Sequence, residues 1–409
     1  MKIKSCLIPA VVLASVACTN QACRRQSEAA PLRPAEFVQQ LTAIPAESKG
    51  PLTPGTAVER AVRNAKKGPA YTRKFDLSGL PKYAPEQQVT GTIRLWGNNY
   101  IGDSGLSNRW RDDFLKYHPG AKLEMVLPTA AIAIPALYFG LADIGMTHEP
   151  HFYDFLAHLR ILGYEPTGFS AVTGSLDEGG WMNTMVMAVH KDNPLTRITM
   201  KQLDGVFGSA RAGGWVGATW HLEFARGSDQ DIRRWGHLGL TGRWVDQPIN
   251  TYGYSIRYAT ALEFSSRVLK SSDKWNENKL AFGNAKRPDG TTYLQADQIL
   301  DHLRKDPLGI AYVRYSRNFP SDVKALALAK DEKGPFVHAS LESVQDRSYP
   351  LWGEMQFWVS IKPGTKIDPK VKEFLRYILS QEGQSLVQED GKYLPLTAEV
   401  VREQLQKLE

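Results

Sequence analysis

Apolar positions are scattered and aperiodic through residues 24–90, where "APLRPAEF", "SKGPLTPG" and "KKGPAY" are broken by proline and glycine that prevent long elements. One short helix is predicted there, Thr56–Lys66, with Val58, Ala61 and Val62 on one face. The remainder reads as a tether, or as a strap laid over a folded surface. From residue 91 the pattern becomes regular. "GTIRLWG" alternates Ile93 and Leu95, a strand. "DSGLSNRWRDDFLKYHPG" repeats Leu106, Trp110 and Phe114 at helical spacing; Ser104 can cap that helix and Pro119-Gly120 stops it. "KLEMVL" is a second strand, "AAIAIPALYFGL" a second helix or helix pair with Pro135 near a first turn, and "ADIGM" a third strand. Strands alternating with helices predict a parallel α/β layer. Ligands of such a layer belong at the carboxyl ends of its strands.

The later chain continues the theme. "NTMVMAV" (183–189) is an apolar strand, and Thr199 with Gln202 forms a capping box for a short helix. "ATALEFSSRVL" (259–269) and "YLQADQILDHLRK" (293–305) are amphipathic helices, and "GIAYV" (309–313) is a buried strand. Asp368 caps a helix that begins at Pro369 and turns Val371, Phe374, Leu375, Ile378 and Leu379 to one side.

The first residues have a different character. Lys2 and Lys4 precede an apolar run, Leu7 to Ala17, too short to span a bilayer. This fits a secretory signal peptide cleaved after Ser15-Val16-Ala17. Cys18 follows at once and could carry a lipid, although a bacterial lipobox usually has Leu where Ser15 stands; free secretion and lipid anchoring both remain open. The three cysteines (Cys6, Cys18, Cys23) all lie in this leader region. The folded part therefore has no disulfide framework, cysteine metal site or thiol nucleophile.

Charge changes the picture little. The formal net charge is +7, with no long Lys/Arg run, so no nucleic-acid stripe is expected. His148, His151 and His158 invite a zinc reading, but Pro150 interrupts the stretch and the spacing matches no zinc-protease helix, so no metal is assigned. No Walker loop and no G-x-S-x-G elbow occurs, and no cofactor is implied. Trp96, Trp110 and Trp244 are assigned to packing or the walls of a cleft; Trp181 and Trp215 are alternatives for stacking on a ring.

Several stretches resemble the phosphate-type periplasmic substrate-binding proteins of ABC importers. "FLRYILSQEGQSLVQEDGKYLPL" (374–396) is similar to that family's C-terminal helix, S-x-E-G-Q and Y-x-P-L stretch. "PLGIAYV" (307–313), "SYPLWGEMQFWVSI" (348–361), "LADIGMTHEP" (141–150) and "DIRRWGHLGLTGRW" (231–244) resemble further elements of it. The likeness spans about residues 91–405. It implies a two-lobed α/β fold, each lobe a sheet flanked by helices, with a ligand cleft between the lobes. Lobe one would be 91–189 and 349–405, lobe two 190–348, after a signal peptide (1–17) and a tether (18–90). Two connections between lobes make a hinge, and closure buries the ligand.

The resemblance also implies a pocket. In the family, neutral donors at helix N-termini hold the anion, and one carboxylate accepts the proton of hydrogen phosphate. Laid onto this chain, that acceptor is His148, with Glu149 as a neighbour that could substitute. An imidazolium only donates, whereas a neutral imidazole donates at one nitrogen and accepts at the other; neither copies a carboxylate. Thr129 is the hydroxyl left in "LPTAAIAIPAL", and Asn98, Asn99 and Tyr100 could donate from the loop after strand one. The family's R-x-x-x-S-G-T becomes "YSIRYAT" (254–260): Tyr254 takes the arginine position, Arg257 can take the role, and Thr260 is kept. An arginine there could clamp an oxyanion with two bonds. Each residue also has a plain reading. The asparagines form turns, Thr129 and Thr260 cap helices, and Arg257 is a solvated charge. The expected protein is an exported, non-enzymatic carrier of a small phosphate-like anion, serving an ABC permease or a sensor, in the periplasm or outside the cell. The alternatives are an envelope protein with a degenerate pocket and a phosphatase-like hydrolase built on His148 and Thr129.

Overall fold

The structure, a computed structural model, describes residues 67, 70–177, 179–316 and 319–409. The expected leader, Cys18 and the Thr56–Lys66 helix lie outside the described residues.

Among the described residues, two five-stranded sheets dominate. Their strands, in chain order, are β1 (Gly91–Gly97), β2 (Ala121–Val126), β3 (Ile144–Thr147), β4 (Thr167–Thr173), β5 (Met185–His190), β6 (Asn250–Tyr254), β7 (Leu280–Phe282), β8 (Gly309–Arg314), β9 (Val323–Ala325) and β10 (Glu354–Val359). The first sheet runs β2-β1-β3-β10-β4 and the second β7-β6-β8-β5-β9. β1 is parallel to β2 and β3, and β10 returns antiparallel between β3 and β4. In the second sheet β6 is parallel to β7 and β8, while β5 is antiparallel to β8 and β9.

Each sheet has its own core, so the molecule is two-lobed. In the first, Ile93 and Leu95 meet Leu106, Trp110 and Phe114 of the Leu106–Tyr117 helix, all buried as their spacing requires. Phe114 sets its edge on Phe374 of the Pro369–Ile378 helix at 5.2 Å and Trp110 on Phe357 of β10 at 5.8 Å, so that helix covers this lobe. Burial of each such ring is worth about 1.5–3 kcal/mol. In the second, Leu203, Phe207, Phe264 and Leu303 surround Ile310 and Tyr312 of β8.

Three sequence expectations need correction. Residues 185–189, placed with the first lobe, form β5 of the second sheet, paired Ile310↔Val189 through Arg314↔Met185. Every residue of β5 is buried, and an unbroken apolar run carries no alternation to say which sheet it joins. Ser104 does not hold the N-cap position of the 106–117 helix: it ends a separate helical turn, Asn99–Ser104, Gly105 at φ 85° makes the corner, and the Ser104 hydroxyl accepts the helix's first N–H, Leu106, at 3.2 Å. Residues 71–90 are more than a tether, because Leu77, Leu80, Tyr83 and Val89 are buried in the first core. The strap is pinned by polar bonds as well. Tyr83 donates to Glu373 Oε2 at 2.8 Å, and its oxygen lies 2.6 Å from His118 Nε2. Val89 N–H approaches His118 Nδ1 at 3.4 Å. With the tyrosine proton given to Glu373, the imidazole is the neutral tautomer protonated on Nε2. Burial holds His118 below the ordinary imidazole value, against the pull of Glu373.

Two crossings join the lobes, residues 174–184 and 346–353. They are stitched to each other: Gly174 N–H donates to Gly353 O at 2.7 Å and Met185 N–H to Leu351 O at 3.3 Å. A Cβ on Gly174 would lie 2.4 Å from Met182 O, and one on Gly353 2.6 Å from the same oxygen. The stitch therefore requires glycine on both sides.

Candidate functional site

The carboxyl ends of β1, β2 and β3 lie together on one edge of the first sheet. Gly97 ends β1 at φ 143°, and a Cβ there would stand 2.0 Å from Met146 O. That close approach lets Asn98 N–H donate to Met146 O at 2.7 Å, tying the β1 loop to β3. Asn98 is buried, and its side-chain oxygen accepts from Tyr100 N–H at 2.7 Å, the N-cap of the Asn99–Ser104 turn. Asn99 donates to Asp103 at 3.0 Å. Tyr100 packs 5.2 Å from Trp181 of the first crossing. The turn that these residues build was read from the sequence as an open loop. After β2, Thr129 is exposed and caps the Ala130–Ile132 turn through Ala131 N–H at 3.4 Å. After β3 come half-buried His148, whose Nδ1 lies 3.0 Å from Glu149 O, and Glu149 itself. His158 faces elsewhere, bonded to Tyr164 O and Ser360, both at 2.7 Å.

The second lobe meets this edge with the Ala259–Leu269 helix. Its one face carries Thr260, Glu263 and Arg267, spaced to stand above one another. Thr260 lies inside the first turn rather than at the N-cap, which is Tyr258. Its hydroxyl oxygen accepts from Arg314 Nε–H at 3.3 Å. Arg314 ends β8 and is fixed on three sides: by Thr260, by the Asn183 carbonyl, and by Glu263 at 2.5 Å. A guanidinium has five N–H donors, so two are left over by these bonds. Glu263 is fully enclosed. Burial would raise its carboxyl, but Arg314, Arg267 and His148 outweigh burial and hold it below the ordinary range. His148 directly precedes Glu149, which bonds Ser266 of the same helix.

The seam itself is latched. Ser266 donates to Glu149 Oε1 at 2.5 Å, and Arg267 Nε stands 3.7 Å from Glu149 Oε2. Ala218 N–H donates to Glu165 at 3.1 Å, His151 lies 3.6 Å from Asp273, and Phe152 stacks on Trp215 at 4.9 Å.

The structure puts His148 beside Glu149 of the latch and Thr260 on the helix that carries Ser266, with Asn98, Asn99, Tyr100 and Thr129 at the neighbouring strand ends. Tyr254 and Arg257 do not join them. Tyr254 is 1% exposed, and its hydroxyl oxygen accepts from Arg314 N–H at 3.0 Å, so it is a core residue. Arg257 is exposed on the turn before the helix. The guanidinium beside Thr260 is Arg314, which the sequence reading missed. Its only local signal is a charge closing an otherwise apolar strand, "GIAYVR".

No family model matches the chain. Two curated relatives, the phosphate-binding proteins PstS of two Pseudomonas aeruginosa strains, are each 28% identical over 330 residues, covering 80% of this chain and 90% of the relative. Among solved structures, PstS of Borrelia burgdorferi aligns at TM-score 0.46 and 14% identity over 75% of this chain and 99% of that one. An ABC-type phosphate transport receptor of Vibrio cholerae aligns at TM-score 0.44 and 16% identity, over 74% and 99%. Over four-fifths of its length, on two α/β lobes with a doubled crossing, the chain is thus similar in sequence to the phosphate-binding PstS proteins of Pseudomonas aeruginosa.

Proposed function

We propose that this protein is an exported carrier that captures a small oxyanion, phosphate or a near relative, between its lobes and presents it to an ABC permease. The observation that carries the reading is Arg314. It stands beside Thr260 at the start of a helix, shares Glu263 with Arg267 of the seam, and keeps two N–H groups beyond those bonded among the described residues. An oxyanion placed there would take those two donors as a bidentate pair, with Thr260 and His148 as further polar contacts and Thr129 at the adjoining strand end. Closure of the second lobe over the first would complete the shell. The protein acts by binding, as its relatives' names describe, and performs no bond chemistry. A lipid on Cys18 would keep the carrier at the membrane.

His148 replaces the carboxylate acceptor that the family resemblance implies, so discrimination between protonated and fully deprotonated oxyanions is relaxed. Calorimetric titration with phosphate and sulfate tests this. Phosphate binds, sulfate follows within about tenfold rather than the 10⁴-fold that an obligatory hydrogen bond can give, and Arg314→Met removes both. A flat phosphate titration at millimolar concentration would end the phosphate reading and favour an envelope protein whose pocket has lost its ligand.

A further inference from the structure

The seam holds one contact that the latch and the oxyanion reading leave unused. His151, just ahead of the Phe152–Leu162 helix of the first lobe, brings its Nε2 to 3.6 Å from Asp273 Oδ1 of the second. That nitrogen is buried and makes no hydrogen bond among the described residues, whereas the Asp273 carboxylate is 42% exposed. The separation is too long for a good hydrogen bond. It attracts only when the imidazole is charged, and an imidazole changes charge between about pH 5 and 8.

Both partners are held in place. The His151 ring packs on Phe152 at 4.5 Å and on Tyr153 at 5.1 Å, and its backbone N–H donates to Asp154 at 3.0 Å. Phe152 stacks on Trp215 of the second lobe at 4.9 Å, and Trp215 N–H donates to Lys270 O at 2.7 Å, at the head of the turn that carries Asp273. In that turn Lys270, Ser271 and Asp273 have φ of 57°, 50° and 55°. Side chains rarely adopt this left-handed region, and such residues persist where their surroundings over-determine them. The turn therefore carries backbone strain while presenting Asp273 to His151.

Charged groups surround the imidazole from both lobes. Asp154 on its own helix and His148 and Glu149 on the preceding loop belong to the first lobe. Burial raises the Asp154 carboxyl, against the His151 N–H bond and the two imidazoles. These groups travel with His151, so they set where it titrates without tying its charge to lobe movement. Across the seam stand Lys270, Asp273 and Lys274. The Lys270 ammonium lies 5.5 Å from the Phe224 ring, and Lys274 is exposed. His221, at the end of the Trp215 hairpin, is paired with Glu223 at 2.6 Å. Asp273 is thus the second-lobe carboxylate that a charged His151 meets.

We propose that His151 and Asp273 form a proton-operated clasp, in which a charged imidazole draws the two lobes together and loss of its proton releases them. The sign follows from linkage. Opening takes Asp273 away, so the latched arrangement holds the proton more tightly, and acid favours it. The clasp acts on the lobes themselves and does not rest on which anion is bound.

Two measurements on the full-length protein test it. His151 is followed by its imidazole NMR signals, assigned by their absence in His151→Gln. Asp273→Asn keeps the turn, because asparagine tolerates the left-handed region, and lowers the proton affinity of His151 roughly threefold, the size of a partly exposed ion pair. Small-angle scattering without ligand is then recorded in a His148→Gln background, which silences the other imidazole of that loop. The radius of gyration grows between pH 5.5 and pH 8, and the growth is lost when His151→Gln or Asp273→Asn is added. A residue that merely caps its helix would give no such pH dependence, and none that an exposed carboxylate on the other lobe abolishes. The proposal fails if Asp273→Asn leaves the His151 titration where it was, if the radius is the same at both pH values, or if its growth survives either added substitution.

Discussion

Glu149→Ala tests whether the latch sets how firmly the lobes close. The carboxylate accepts from Ser266 across the seam at 2.5 Å, a hydrogen bond to a charged group worth about 1.5–3 kcal/mol. The Arg267 pair at 3.7 Å adds little, because Glu149 remains 35% exposed and water screens the attraction to about 0–1 kcal/mol. Among the described residues the Ser266 hydroxyl has no other hydrogen-bond partner. The substitution should therefore move the closed-to-open equilibrium toward open by about 1.5–3 kcal/mol, roughly ten- to hundredfold. Small-angle scattering of the ligand-free variant should show a larger radius of gyration than the parent. Phosphate affinity should fall by up to the same factor, since closure contributes to binding. Ser266→Ala should act alike, and the double variant should be no worse than either single one, because both remove one bond. Unchanged scattering with additive losses in affinity would refute the latch.

Glu263→Leu leaves Arg314 and Arg267 without their buried counter-charge and should cost about 3–5 kcal/mol, read as a lowered calorimetric Tm. The Glu263 carboxyl is held below its ordinary value by the neighbouring cations despite burial. Its stabilisation is complete above the unfolded carboxyl value and is lost as pH falls through the lower folded one. Melting between pH 6 and 3 should fall more steeply in the parent than in Glu263→Gln. His118 and His158 are both held below 6.5 by burial. Stability from these neutral imidazoles is whole above pH 6.5 and declines as pH drops through their folded values, so Tm should already be falling near pH 5. Tyr83→Phe removes the donor to Glu373 and should cost about 1–3 kcal/mol in thermal melts while leaving phosphate affinity unchanged.

Local chemistry made much of this fold legible. The Thr199–Gln202 capping box, the Asp368 cap ahead of Pro369 and the 259–269 helix are set by side chains within a turn of one another, and the structure has each of them. Properties that depend on distant partners were not legible. Arg314 acquires its role from Glu263, 51 positions away in sequence, and no spacing rule links them. β5 is apolar throughout, so its membership is decided by register with β8. The strap buries Leu77, Leu80, Tyr83 and Val89, four residues with no common period, and its fit depends on the surface that receives it. At the candidate site, the carboxyl-end rule pointed to the edge of the first sheet where Asn98, Thr129 and His148 stand. It could not say that Asn98 would be used up as a cap or that Tyr254 would sink into the core.

The strap is anchored mainly in one half of the molecule. Its four buried side chains all belong to the first core, and Tyr71 and Phe75 bond Gly391 and Gln388 of the same half. Its contact with the other half is an exposed pair, Arg73 with Glu342 at 3.2 Å, so a pull on the chain upstream of residue 70 would be borne by the first lobe. In the proposed closure the second lobe, joined to the first through the two glycine-stitched crossings, would carry Arg314 and Thr260 toward the half that holds His148.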